Sequence, residues 1–518
     1  MPSFRFLALV FAAQIAASAA WAAPPQPDPA VAAARAYRQA HEVEILDSYA
    51  RLLALPNVAY HSSPAELAAN ADWIAAELTA RGVKSRLLRL DEKTPPIVYG
   101  ELDAPGATRT YGVYVHYDGQ PVQAEEWQSG PPFEPTLYSR AMADGGQKIP
   151  FPKKGEKVDP EWRIYARSAS DDKGPIPAIL AALDALRAAG MKHRANFRFF
   201  FEGEEEAGSV RLEDYLAQNR ELLAGIDGWL ICDGPTHQSR RPQLVFGIRG
   251  YFGFELTVYG AVRELHSGHY GNWAPNPAQR LAELIASMKD RDGNVLIKDF
   301  HQGTAEISEQ ERRTIAAVPD FDAQIRAELG LAETEAGNAN LLERLMISSL
   351  NVKGLQSAAV GENARNVVPA RATANFDIRL AKGKEPEDFP PVIEAHLKAQ
   401  GYHVVHAEPD AATRQKHGRI VKIVYDSGYV AVRTPVDSPF AKQVIEHARR
   451  ASSAEELVLM PTLGGSLPLF QFEKVLGQPI VIVPIVNFDN SQHAPDENLR
   501  LADLWYGIEL MAALFTMP

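Results

Sequence analysis

The stretch NFRFFFEGEEEAGS, Asn196 to Ser209, decides how this chain folds. Phe197, Phe199, Phe200 and Phe201 make a short, nearly continuous apolar run, the pattern of a strand buried on both faces. Such strands belong in parallel sheets with helices packed above and below. The run then enters four carboxylates within five residues, Glu202, Glu204, Glu205 and Glu206. Like charges at that density, where a strand has just left the core, call for a cation.

Working outward, RTYGVYVHYDG (109–119), DGWLICD (227–233) and QPIVIVPIV (478–486) repeat the buried-strand pattern. Between them KGPIPAILAALDALRAAG (173–190) places Ile176, Ile179, Leu180, Leu183 and Leu186 at helical spacing and stops at Gly190. An earlier helix opens at Ser63-Pro64 and runs to Arg81-Gly82. Apolar strands alternating with helices predict an α/β fold with a mainly parallel sheet. From about Arg241 to Arg433 the texture changes to alternating strands, as in LVFGIRGYFGFELTVYG and RATANFDIRL, with helices near 276–289 and 386–400. We read residues 24–240 and 434–518 as two parts of one domain, with a smaller α+β domain inserted at 241–433.

The 518 residues require more than one core, and the formal charge of -12 excludes a basic nucleic-acid face. Residues 1–23 combine Arg5, an apolar run and Ala20-Trp21-Ala22, which predicts a cleaved signal peptide, periplasmic or secreted placement and no membrane attachment afterwards. The apolar run is shorter than the roughly 20 residues a spanning helix needs. The single Cys232 has no partner and reads as a buried strand residue.

Placed on this map, His116, Asp171-Asp172, Glu205-Glu206, Asp233 and His493 all fall at element ends on one sheet edge, where open α/β sheets bind ligands. Read singly, each has a plain alternative: a core histidine, a helix cap, a solvated acidic loop. Together, oxygen and nitrogen donors without thiolate suit two Zn²⁺, with Mn²⁺ or Co²⁺ as alternatives. Three carboxylates under four units of metal charge leave a net positive site, which attracts an oxyanion.

Those residues carry a resemblance. VYVHYDGQPV, RSASDDKGP, FEGEEEAGS, ICDGP, ELHSGHYGN and SQHAPDEN are similar, in order and spacing, to the motifs of the di-zinc peptidases that include carnosinase, aminoacylase and succinyl-diaminopimelate desuccinylase. The resemblance implies that Asp171 bridges two metals, one completed by His116 and Asp233, the other by Glu206 and His493. It implies Asp118 as the carboxylate behind His116 and Glu205 as general base. It makes the inserted domain a lid and dimerisation domain, with a homodimer as the expected state and His266 stabilising the oxyanion, in many members from the neighbouring subunit. Asn366 and Arg379 match substrate-contacting positions, Arg379 as the fork for a free carboxylate. His269 reads as a surface residue. Gly465 and Ser466 keep a Gly-Gly-Ser turn that touches substrate, but Thr462-Leu463 stand where relatives carry Arg-Glu. The expected activity is hydrolysis of an amide bond beside a free carboxylate, in small peptides or, alternatively, N-acyl amino acids. A silent peptide-binding protein would have no use for the base Glu205.

Overall fold

A computed structural model of the protein describes residues 28–59, 62–452, 457–465 and 467–518. The predicted signal segment 1–23 and Ser466, expected to contact substrate, lie outside them. Among the described residues, no helix is long and apolar enough to cross a membrane.

The phenylalanine run forms the strand Asn196–Glu202, which sits inside an eight-stranded sheet. The spatial order is Lys84–Leu88, Ile97–Leu102, Asn196–Glu202, Thr110–His116, Gly228–Ile231, Ile480–Ile482, Gln243–Val245, Val458–Met460. Asn196–Glu202, Thr110–His116, Gly228–Ile231 and Ile480–Ile482 are mutually parallel. Antiparallel pairs flank them at Ile97–Leu102 and at Gln243–Val245. Parallel strands need cover on both faces, and both faces are covered. Phe197, Phe199 and Phe201 face a core closed by the helices Pro29–Leu53, Pro175–Ala188 and Leu501–Leu514, while Phe200 faces a second core with Trp229 and Phe472. Cys232 is buried as expected, its backbone N–H donating to Tyr114 O at 2.9 Å.

Local chemistry sets the element ends. The helix Pro64–Ala80 begins at Ser63, whose hydroxyl accepts from Glu66 N while the Glu66 carboxylate accepts from Ser63 N, a reciprocal cap. Pro175–Ala188 follows the Asp171-Asp172 pair and ends before Gly190, which has φ +67°.

A separate five-stranded sheet, in the order Ser349–Gln356, Arg371–Leu380, Gly250–Tyr259, Ile420–Tyr425, His403–Val405, carries the inserted part of the chain. Its apolar face packs on the helices Pro277–Met288 and Phe389–Ala399. One boundary differs from the sequence reading. Gln243–Val245, inside the predicted insert, belongs to the large sheet; the chain crosses over at Gly247–Ile248, which pairs with Val432–Arg433. The alternating pattern runs unbroken from 243 to 259 in sequence, so periodicity alone could not mark the crossing.

A further small sheet has the order Asn498–Arg500, Arg163–Tyr165, Thr136–Tyr138, Lys148–Ile149. Its first pairing clamps the chain just before Asp171 to the segment just after His493.

Candidate active site

The central strands deliver their polar groups at, or on the segments beyond, their carboxyl ends. His116 is the last residue of its strand and is fully buried. Glu205 and Glu206 follow Asn196–Glu202 by one turn, Asp233 follows Gly228–Ile231, and His493 lies on the loop after Ile480–Ile482. The parallel register brings the groups together at one edge. His116 Nε2 stands 3.0 Å from Asp171 Oδ1, and 3.9 Å from both Asp233 Oδ2 and Glu205 Oε2. His493 Nε2 stands 2.9 Å from Asp171 Oδ2 and 3.4 Å from Glu206 Oε2. Asp171 thus turns one oxygen to each histidine, the disposition of a bridging carboxylate.

Two sets of donor atoms, His116 with Asp171 and Glu206, and His116 with Asp172 and Asp233, are each close enough to hold one ion. The second set uses Asp172, which the sequence reading paired with Asp171 but did not make a ligand. Asp172 is buried and accepts from His116 N at 3.2 Å.

Electrostatics favour a cation. Without one, burial and then the neighbouring Asp171 push the Glu206 carboxyl up to about 8, and the same causes push Asp233 up to about 6. Burial, with Asp233 and Glu206 adding to it, raises Glu205 well above the carboxylate range against the pull of His116. Asp171 goes the other way: burial would raise it, but hydrogen bonds from His116 and His493 hold it low. His116 is driven up, in spite of burial, by Asp118 and Asp171. Acids that must take protons when alone, beside imidazoles and without thiolate, fit divalent metal ions of the Zn²⁺, Mn²⁺ or Co²⁺ type.

Behind the donors is a supporting layer. The fully buried Asp118 lies 3.3 Å from His116 Nδ1 and accepts from the backbone N–H groups of Glu205 and Glu206 at 3.1 and 2.9 Å. One carboxylate therefore orients the histidine and the acidic turn together. Three residues that the sequence reading left unassigned do comparable work. Gln120 donates to Glu206 at 2.7 Å and Gln492 donates to Asp171 at 3.1 Å. Glu497 accepts from Arg167, Ser168 N, Ser170 N and Oγ, and Asp171 N, all between 2.7 and 2.9 Å. Glu497 sits in the SQHAPDEN motif, but polar loop residues beside a ligand give no sequence signal of their own.

The donors open onto a cleft of about 750 Å³ that also exposes Gly465, Leu463, Tyr429 and Phe470. Among the described residues, His266, Asn366 and Arg379 are not brought to it. His266 is exposed and lies beside Asn366, whose carbonyl accepts from Ser267 N at 2.9 Å, within the inserted part. Arg379 is on that part's sheet, its guanidinium over the Tyr251 ring at 5.5 Å. Thr462 is buried in a separate small cavity with Arg249 and Arg433, so of the two residues in the Arg-Glu position only Leu463 faces the cleft.

Fold and site define a metal-dependent hydrolase with adjoining cation positions on the carboxyl edge of an α/β sheet. The sequence signature of peptidase family M20/M25/M40 matches residues 112–517, and the chain belongs to that family. It is 24% identical to the Cys-Gly metallodipeptidase of Saccharomyces cerevisiae over 428 residues, 81% of each chain. It is also 24% identical to the Beta-Ala-His dipeptidase of Homo sapiens over 434 residues, 81% of this chain and 77% of that one. Among solved structures, an M20 family metallo-carboxypeptidase from Sulfolobus solfataricus superposes with a TM-score of 0.70 at 27% identity, covering 92% of this chain and 99% of the other.

Proposed function

We propose that this peptidase cleaves the amide bond of a small peptide, in the manner of a dipeptidase or carboxypeptidase, with Glu205 as general base. The likeness to the Cys-Gly and Beta-Ala-His dipeptidases supports a dipeptide-sized substrate. The observation that carries the reading is the position of Glu205. It lines the cleft, is 11% exposed, lies 3.9 Å from His116 and belongs to neither set of cation donors.

His116, Asp171, Asp172, Glu206 and Asp233, which make up the two donor sets, are the residues that would hold the metals, and His493, outside both sets but 2.9 Å from Asp171 and 3.4 Å from Glu206, would join them. Bound there, two divalent ions supply Lewis-acid polarisation of a carbonyl and acidify a water. The chain's own residues do the rest. The Glu205 carboxylate accepts the proton of the attacking water and returns it to the leaving amine nitrogen. Asp118 keeps the turn carrying Glu205 at fixed height above His116, through its hydrogen bonds from the backbone of Glu205 and Glu206. Arg379 on the inserted part is the candidate anchor for a free carboxylate, and His266, exposed away from the cleft, suits donation to the oxyanion of a neighbouring subunit's site in a homodimer. The apolar start of the chain supports export to the periplasm or beyond, and intact Met1 on the mature protein would exclude it.

The test is amine release from dipeptides and N-acyl amino acids by the metal-loaded protein, with Glu205→Gln as blank. Cleavage by the wild type alone is expected; equal rates in both proteins would remove Glu205 as base.

A further inference from the structure

The cleft's walls away from the metal donors are unusual for a site that meets free carboxylates. Among the described residues lining it, none is lysine or arginine. Ile248, Tyr429, Leu463, Leu467, Pro468 and Phe470 line it together with Glu205, Glu206 and Asp233. Tyr429 and Phe470 stack at 5.0 Å with rings 11° apart, one from the segment returning from the insert and the other from the catalytic part. Leu463 is pinned from behind: its N–H donates to Gly247 O at 2.9 Å, and its backbone bridges Ile248. Leu463, Leu467, Tyr429 and Phe470 are each half-buried, so each keeps apolar surface available to the cleft.

We propose that this apolar lining is a specificity subsite for an apolar side chain or acyl chain of the substrate, with Leu463 and the Tyr429–Phe470 stack as its determinants. The inference rests on the amide-hydrolase reading and adds the substrate class to it. Two physical points support it. An apolar group placed against Leu463, Leu467 and Phe470 leaves water and loses no hydrogen bond, whereas a polar group of the same size gains none from those three side chains. Among the described residues lining the cleft there is no lysine or arginine, so a charged side chain set against Leu463, Leu467 and Phe470 meets no ammonium or guanidinium partner.

The experiment compares kcat/KM of the metal-loaded protein on dipeptides in which each residue in turn is leucine or asparagine, near-isosteres that differ in polarity and not in charge. At one of the two positions leucine is expected to exceed asparagine by about tenfold or more, since even one methylene in an apolar pocket is worth ~10-fold or more. Leu463→Asp should erase that preference with metal content unchanged, and Leu463→Met should retain it. Equal kcat/KM for the two side chains at both positions, or an unaltered preference in Leu463→Asp, overturns the subsite. If no dipeptide is cleaved, the dipeptidase reading fails by itself. The subsite is then judged by calorimetric binding of N-acetyl-leucine against N-acetyl-asparagine, where equal affinity overturns it and tighter leucine binding, lost in Leu463→Asp, upholds it.

Discussion

Glu205 and Glu206 are neighbours with the same side chain, yet their surroundings separate their roles. Glu206 is held by Gln120 and reaches His493; among the described residues Glu205 has no side-chain donor of that kind, and its carboxylate lies 3.9 Å from His116. Replacing Glu205 by Gln should therefore lower kcat by roughly 10²–10⁴, the range for a positioned base, while bound metal measured by atomic emission stays at the wild-type level. A parallel loss of metal would exchange the roles of the two residues. Glu497 makes the opposite prediction. It fastens the loop that carries Asp171 and lies four residues beyond His493, so two ligands distant in sequence share one support. In Glu497→Gln an amide N–H₂ must face donors where an oxygen accepted. Metal affinity should fall ~10–100-fold, with activity recovered by excess metal. A variant with wild-type metal titration and only a lower melting point would make Glu497 a stability residue and nothing more.

At the level of elements, the acidic turn depends on how closely two strand ends approach. A Cβ on Gly203 would sit 2.4 Å from the buried Tyr117 ring, whose hydroxyl is tied to Pro96 O. Gly203→Ala should cost about 1–3 kcal/mol of overpacking, read by urea denaturation, and should depress activity beyond that because Glu205 and Glu206 start two residues later. Wild-type stability would show that the ring gives way freely. The same geometry explains what the sequence made legible. The four parallel strands are buried on both faces along most of their length, so they are mainly apolar, and a carboxylate or histidine at the end of such a run stands out. Nothing comparable marks Thr136–Tyr138, Lys148–Ile149 or Asn498–Arg500, which are two or three residues long and have no measurable period. Asp172, Gln120, Gln492 and Glu497 stayed unassigned for a related reason, since a polar residue next to a ligand looks the same whether it faces the site or the solvent. Asp118 was reached through the family resemblance, and its backbone contacts to the acidic turn could not be read from any motif.

For the whole molecule, the cost of gathering acids at one edge should appear as a pH-dependent need for metal. In the metal-free protein, burial first, with neighbouring acids adding to it, places Asp233 at about 6, Glu202 at about 7 and Glu206 at about 8, against 3.8 and 4.5 for unperturbed groups. The folded state then keeps protons that the unfolded chain has released. The stability these groups contribute is complete below about pH 4 and is lost as pH rises through about 6, 7 and 8. Metal reverses the sign, because it binds the deprotonated ligands and each displaced proton makes binding stronger by about 1.4 kcal/mol for every pH unit gained below the group's pKa. The gap in melting temperature between metal-loaded and chelator-treated protein should therefore be small at pH 5 and widen steadily to pH 8, with metal binding releasing protons in calorimetry at pH 7. A gap that stays constant across that window would mean that the acids are already ionised in the metal-free fold, held by donors such as Gln120 and Gln492 and not by protons. In that case the cluster is preorganised for its cations, and chelation should leave the melting temperature nearly independent of pH.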